Sequence, residues 1–407
     1  MSKLTLLDEA KEDASRIISD RRALHAHPGT GFDIPFSLDY VTRELTELGY
    51  EPVPCGKAGI TALAGGIKPG KVFLIRADMD ALPIQEDSGV SFASESPGKM
   101  HACGHDLHTS MLLEAARLLK KHEDEINGTV KLMFQPAEEI FQGSEDMLKA
   151  GVLEDPHVDA ALMVHVAAGL PFPAGTVIAC DGGVSAAACD FFDVTLTGKG
   201  CHGSMPHQGI DPLIAACGMI TSLQEIIARE ISMSDEAVLT VGYMNAGNAN
   251  NVIPGEAKFG GSIRTFDEEI RAQIKQRMEV MVQAFGTAYR VETQLSWTSG
   301  CPSLLNDAEL AKCVPGYVRE LTGEQGCFTM AQLAAFAGGK QQKGTASEDF
   351  AFVSRCVPSI MLALAAGTAQ DGYIYPQHHP KVCFDEACLP YGAAVYAHTA
   401  MRWLDEH

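Results

Sequence analysis

A chain of 407 residues with 46% apolar and 20% charged content can bury a sizeable core, and at roughly 150 residues per domain it reads as two or three domains. Its 31 Lys and Arg against 52 Asp and Glu give a net charge of −21. That balance excludes nucleic acid and anionic membrane surfaces as main partners, because binding them takes clustered cations. A small anionic ligand, held by one local basic residue, remains allowed. The twelve cysteines, among them Cys55, Cys180, Cys217, Cys313 and Cys388, are scattered without a C-x-x-C pair and read as reduced thiols. The N-terminus is amphipathic, carries acids and shows no signal peptide, and no apolar run reaches bilayer length. The expected compartment is the cytoplasm.

In chain order, apolar residues recur at helical spacing from Leu7 to His27, where Pro28-Gly29-Thr30-Gly31 ends the pattern. A second helix covers Phe36 to Leu48. Short apolar runs predict strands at Ile60–Ala64, Val72–Arg76, Val130–Phe134, Ala160–Val166 and Gly175–Ala179, with helices at Leu107–Lys121 and Gly143–Lys149. Strands alternating with helices predict an α/β layer with a mainly parallel sheet. Asp181-Gly182-Gly183-Val184-Ser185 suits a hinge. Beyond it the order is strand (Phe191–Leu196), helix (Pro212–Arg229), strand (Val238–Met244), strand (Ala257–Thr265), helix (Glu268–Ala284) and strand (Tyr289–Trp297). That βαββαβ order is the split, ferredoxin-like unit. From Cys301 the α/β pattern resumes, ending in a helix at Leu389–Trp403. The expected organisation is one discontinuous domain, 1–185 and 299–407, interrupted by an inserted domain, 186–298.

Donor side chains gather where strands should end. Cys103 and His105, separated by a glycine, can turn a soft and a borderline donor toward one point. Taken alone, they read more readily as a core thiol beside a helix cap. Glu138-Glu139 fall just beyond the Val130–Phe134 run and its Pro136 breaker, and ligands of open α/β sheets bind outside the carboxyl ends of the strands. One of two adjacent carboxylates there can hold metal while the other handles a proton. They equally suit the first turn of a helix, favoured by its dipole. His165 closes the Ala160–Val164 run, His378-His379 follow Tyr375-Pro376, and Asp78 and Asp80 close one more strand. Together these five clusters point to a dinuclear metal site.

The insert has its own constellation. His202 follows its first strand in His202-Gly-Ser-Met-Pro-His207, Asn251 precedes its third, and Arg264 lies near the end of that third strand. A His, an Asn and an Arg gathered on one edge could polarise a carbonyl and hold a carboxylate. Turn chemistry with a surface salt bridge is the plainer alternative.

The strings Arg76-Ala-Asp-Met-Asp-Ala-Leu-Pro83, His101-Ala-Cys-Gly-His-Asp-Leu-His108, Gln135-Pro-Ala-Glu-Glu139 and His202-Gly-Ser-Met-Pro-His207, with the His378 segment, resemble one group. It is the amidohydrolase branch of the aminoacylase/carboxypeptidase G superfamily of metallopeptidases, which includes hippurate hydrolases, N-acyl-amino-acid amidohydrolases and indole-acetyl-amino-acid hydrolases. The resemblance runs in order from Arg22-Ala-Leu-His-Ala-His-Pro28 to Tyr391. It implies a dinuclear-metal hydrolase domain with an inserted lid and dimerisation domain. The activity implied is metal-dependent hydrolysis of the amide bond of N-acyl amino acids. The cofactors implied are two divalent ions per subunit, Zn or Mn, and the assembly a homodimer through the lid.

By position, Cys103, His105, Glu139, His165 and His378 match the family's metal ligands, with Cys103 as the bridge. Glu138 matches the general base. His202 matches the lid histidine that, in family dimers, reaches the partner subunit's site and stabilises the oxyanion. Asn251 and Arg264 match substrate-carboxylate and lid contacts, Gly344 and Thr345 a loop lending backbone contacts, and Asp80 a residue that orients a ligand. A dipeptidase or carboxypeptidase on the same fold is the alternative. A non-catalytic binding protein is less expected, since it would have lost Glu138 or a ligand. Two departures stand out. Gly29 follows Pro28 where the family commonly has Glu, and Asp78 and Cys103 replace the His and bridging Asp of other branches. Substrates of those outer branches therefore do not transfer.

Overall fold

The strand Val72–Asp78 is buried at all seven positions, so it has no polar face to turn to water and must lie between two layers. In the computed structural model, which describes residues 5–336, 339 and 343–407, it lies inside an eight-stranded sheet. Across that sheet the order is Val53–Cys55, Gly59–Gly65, Thr129–Gln135, Val72–Asp78, Ala160–Ala167, Ser359–Ala365, Val177–Ala179 and Cys327–Thr329. The central neighbours Thr129–Gln135, Val72–Asp78, Ala160–Ala167 and Ser359–Ala365 run parallel, while Gly59–Gly65 and Val177–Ala179 join antiparallel. The sheet is thus mainly parallel, as the alternating pattern predicts.

Two long helices cover the central strands. His105–Lys121 buries a run from His105 to Leu119, and Leu389–Glu406 carries small residues that let it approach closely. Any β-carbon on Gly392 would meet the Met111 sulfur at 2.0 Å, so the contact between these helices depends on that glycine. From the same helix, the Tyr396 hydroxyl donates to the Arg76 carbonyl at 2.7 Å and accepts from the Val164 amide at 3.1 Å. It pins two parallel strands where their ladder opens.

The inserted sheet is antiparallel throughout, in the order Ala237–Ala246, Glu256–Thr265, Ala188–Thr197, Glu292–Cys301. Its strands alternate. Phe192, Val194 and Leu196 bury against Met219, Leu223, Ile274 and Met278 of the helices Pro212–Glu225 and Glu268–Tyr289, while the intervening residues face away. This is the ferredoxin-like arrangement.

Two elements differ from the pattern. The helix predicted from Leu7 to His27 is two, Leu6–Glu12 and Ala14–Ala26, because Asp13 leaves helical geometry between them. The last strand of the insert starts at Glu292, not Tyr289. The buried face Ile274, Met278, Val282 and Gly286 carries the preceding helix on to Tyr289, and Arg290 stops it in a left-handed turn at φ 63°.

By contact, the described residues divide into one unit within Met1–Ser185, Leu305–Gln342 and Asp349–His407, and another of Ala186–Leu304 with Lys343–Glu348. No helix among the described residues is long and apolar enough to cross a membrane. Replacing Tyr396 by Phe removes its hydrogen bonds to a buried amide and a buried carbonyl, so Tyr396→Phe should lower stability by about 1–3 kcal/mol, read as a reduced urea midpoint.

Candidate metal centre

The Val72–Asp78, Thr129–Gln135 and Ala160–Ala167 strands are parallel and present their carboxyl ends on one edge. Asp78 closes the first, Glu138 and Glu139 lie in the turn beyond the second, and His165 lies near the end of the third. Cys103 and His105 reach the same edge from the start of the His105–Lys121 helix. Gly104 makes that possible: its φ is 96°, and a β-carbon there would meet Val166 Cγ2 at 2.4 Å. His378, at φ 65°, is held by its own amide donating to the Ala102 carbonyl at 2.9 Å.

These residues form two groups that share a sulfur. Donor atoms of Cys103, His105 and His165 lie within 4.8 Å of one another, and so do those of Cys103, Glu139 and His378. Cys103 Sγ is 3.6 Å from His165 Nε2, His105 Nε2 is 3.8 Å from Glu139 Oε1, and His378 Nε2 is 3.6 Å from Glu139 Oε2. Glu138 stands beside them, its Oε2 4.0 Å from His105 Nε2.

The histidines are set up as ligands. His105 Nδ1 donates to the Asp80 carbonyl at 2.9 Å, and His165 Nδ1 to the Val166 carbonyl at 2.8 Å. In the neutral ring each arrangement leaves the Nε2 lone pair aimed inward. His105 Nε2 and Glu139 Oε1 are buried without a hydrogen-bond partner, which is costly unless a cation takes both. Thiol, imidazole and carboxylate donors in this number suit a pair of divalent transition-metal ions. The residues therefore fit the group that the resemblance implies.

Electrostatics agree with a cation site. Burial and Glu139 push the Cys103 thiol well up, and burial pushes Glu139 up to about 7 against the pull of His105. Burial opposes charge on His105, yet Asp78 and Cys103 outweigh it and hold its pKa well above the usual value. Such shifts collect where a protein concentrates donors for chemistry. His108 belongs to the same neighbourhood but is engaged on both nitrogens. Nδ1 meets Asp78 Oδ1 at 2.6 Å and Nε2 accepts from the Val166 amide at 2.9 Å. Burial lowers its pKa to about 4.

Asp80 fixes the acidic turn. Its carboxylate accepts from the amides of Glu138 at 3.0 Å and Glu139 at 3.3 Å, while its carbonyl holds His105. Three partners that sequence reasoning missed complete the frame. Arg76, fully buried, donates to Gln135 Oε1 (2.9 Å), Asp78 Oδ2 (2.7 Å) and Asp349 Oδ1 (2.8 Å). Gln135 also donates to Asp349 at 2.7 Å, and the Asp349 amide reaches Glu138 Oε1 at 3.4 Å. A charged residue inside an otherwise apolar strand was the signal available for Arg76, whereas Asp349 had none.

The remaining expected site residues lie in the Ala186–Leu304 unit and its Lys343–Glu348 segment. His202 and Asn251 come together on the two-residue strands Cys201–His202 and Val252–Ile253, where Gly203 donates to the Asn251 carbonyl at 2.7 Å. His202 is exposed. Its Nδ1 accepts from the Ser204 amide at 3.2 Å, so the neutral ring carries its proton on Nε2. Arg264 Nη1 donates to the Thr345 carbonyl at 3.1 Å and Ser347 Oγ at 3.0 Å, and Gly344 bridges to Ala186. The register corrects one expectation. Glu256 pairs with Thr197 but Arg264 with Cys189, so Arg264 sits at the opposite end of its strand from the His202–Asn251 ribbon. At about 3.3 Å per residue that is roughly 25 Å. The three residues are not gathered on one edge.

The family model described as "Peptidase family M20/M25/M40" matches residues 74–402. An N-acetyl-L-cysteine deacetylase of Bacillus subtilis (strain 168) is 35% identical over 393 residues, covering 96% of this chain and 89% of that protein. An N-acyl-L-amino acid amidohydrolase of Geobacillus stearothermophilus is 40% identical over 303 residues, covering 74% of this chain and 80% of its own length. Among solved structures, a Bacillus subtilis protein described as a dinuclear metal-binding peptidase of the M20 family superposes with a TM-score of 0.75 at 31% identity, over 97% of this chain and 99% of that one. The matched span includes every strand end that carries a donor. The chain belongs to peptidase family M20/M25/M40 and is a metal-dependent hydrolase of amide bonds.

Proposed function

We propose that this enzyme hydrolyses N-acyl amino acids to a carboxylic acid and a free amino acid, using two divalent ions held by Cys103, His105, Glu139, His165 and His378. The observation that carries the reading is the pair of donor groups meeting at the Cys103 sulfur with Glu138 beside them. Relatives acting on N-acetylcysteine and N-acyl-amino acids support the substrate class. Cys and His donors favour Zn²⁺, and the carboxylate admits Mn²⁺. Bound ions of this kind polarise the acyl carbonyl and bring the pKa of a water toward about 7.

The protein's own groups then divide the work. Glu138, held by Asp80 and the Asp349 amide, takes a proton from the attacking water and passes it to the leaving amine. The His202 Nε2 proton meets the developing oxyanion. Arg264 pairs with the substrate carboxylate, with Asn251 and the Gly344-Thr345 backbone as further contacts. Asp80 keeps both glutamates and His105 in place, so its role is positional.

In this reading the discontinuous unit is catalytic and the insert serves as lid and dimer contact. His202 and Arg264 cannot both touch one small substrate from a single copy, since they lie at opposite ends of the inserted sheet. Two copies supply both, with His202 coming from the partner. Cytoplasmic location completes the proposal, supported by twelve cysteines that all stand as thiols.

Five outcomes test the proposal. Metal analysis of purified protein should return two Zn²⁺ or Mn²⁺ per chain. The loaded enzyme should cleave N-acetyl, N-benzoyl or longer N-acyl amino acids faster than dipeptides, and Arg264→Ala should erase the preference for a free carboxylate; faster dipeptide cleavage would make it a peptidase. Glu138→Gln should cut turnover roughly 10²–10⁴-fold with metal content unchanged, and retained turnover would remove the base assignment. Sedimentation should show a dimer. Mixing inactive Glu138→Gln with inactive His202→Ala should restore activity in mixed dimers, because one site then has both groups; no recovery would place His202 outside the partner's chemistry.

A further inference from the structure

Three strands of the inserted sheet bring three side chains into one row. Cys189 stands opposite Cys301 across one antiparallel pair and opposite Arg264 across the next. Directly opposed residues share a face, with Cα atoms about 4.5–5.5 Å apart. A disulfide spans Cα separations of about 4.4–6.8 Å, so the two thiols are within bridging reach without backbone movement. The next residue, Asp190, points to the other face and meets Arg271 and Lys275 of the Glu268–Tyr289 helix. The row therefore lies on the face away from the helices.

Its place in the chain is specific. Cys189 lies three residues past Ala186 and Cys301 three before Leu304, so the pair spans the neck where the insert begins and ends. Ion pairs fix that neck. Arg271 grips Asp190 at 2.6 and 2.9 Å, and Glu268 accepts from the Ser303 amide at 2.7 Å. The segment Lys343–Glu348 covers the row: the Ala187 amide donates to Gly344, and Arg264 donates to Thr345 and Ser347. Ser347, which holds Arg264, also favours the thiolate form of Cys189. Both thiols are buried at 0% exposure, so only an oxidant as small as hydrogen peroxide could reach them. Burial pushes the Cys189 thiol up, while Arg264, Arg271 and Ser347 favour the thiolate.

We propose that Cys189 and Cys301 are a peroxide-sensitive thiol pair, whose disulfide closes the neck of the insert and disturbs the seat of Arg264. Hydrogen peroxide takes the Cys189 thiol to a sulfenic acid with release of one water. The Cys301 sulfur then attacks that sulfur and expels a second water, so two thiols and one peroxide become one disulfide and two waters. Swinging the Cys189 sulfur toward Cys301 changes the packing directly opposite Arg264, whose guanidinium Thr345 and Ser347 hold. The effect on substrate binding rests on the carboxylate role proposed for Arg264.

Metal-loaded enzyme treated with hydrogen peroxide, then alkylated and digested, should yield a Cys189–Cys301 cross-linked peptide pair lighter by two hydrogens. The pair should vanish with dithiothreitol and be absent from Cys189→Ser and Cys301→Ser. Oxidised wild-type enzyme should show a several-fold higher KM for N-acyl amino acids, which the oxidised serine variants lack; they also separate this effect from any oxidation of Cys103. No cross-link, or sulfinic acid at Cys189 without one, overturns the thiol pair. A cross-link with unchanged KM overturns the effect on Arg264. Should Arg264→Ala itself leave KM unchanged, the carboxylate contact fails while the cross-link result stands independently.

Discussion

A guanidinium buried in the middle of a parallel sheet is the constraint on which the rest depends. Arg76 is fully enclosed, and a charge in that position is tolerable only if every donor finds a partner. Asp78, Asp349 and Gln135 supply them, and each of these also serves the acidic edge. Asp78 runs on to His108, which anchors the Val166 amide at the end of the His165 strand. Asp349 runs on to the Ser144 amide at 2.9 Å and to Glu138. One cation thus ties together five segments of the chain, around residues 76–78, 108, 135–144, 166 and 349. It also supplies positive charge beneath a crowd of carboxylates that would otherwise repel one another. Removing it would take away a counter-charge that two buried acids, Asp78 and Asp349, share, a far larger disturbance than the loss of one contact.

The fold was legible where periodicity is strong. Val72–Asp78 and Ala160–Ala167 announce themselves as apolar runs, and in an open sheet a polar residue ending such a run sits at an edge where ligands collect. Glu138, Glu139 and His165 could be placed that way. Cys103 and His105 were ambiguous by spacing alone, because a thiol before a helix is common in cores. What the sequence hides is the glycine-permitted approach of that helix to Val166, a distance rather than a pattern.

Register was the harder quantity. Arg264 reads as the end of a strand, but which neighbour it faces depends on how three strands align, and pairing partners are not written in any one of them. The same holds for Cys189 and Cys301, which are unremarkable as isolated cysteines and become a pair only through the ladder. Asp349 is invisible for a related reason: its meaning comes from Arg76, 273 positions away. The Tyr289 discrepancy has a simpler origin, since an aromatic residue suits a helix end and a strand start equally well.

The roughly 25 Å between Arg264 and the His202 ribbon bears on how such an enzyme behaves in dilute solution. A ligand the size of an amino acid derivative bridges only a fraction of that length. Under the proposed roles, His202 and Arg264 of one copy would serve different substrates, and specific activity would fall with protein concentration once copies separate, even though no residue had unfolded or left its place. The strand length of a small sheet, rather than any catalytic group, would set that requirement.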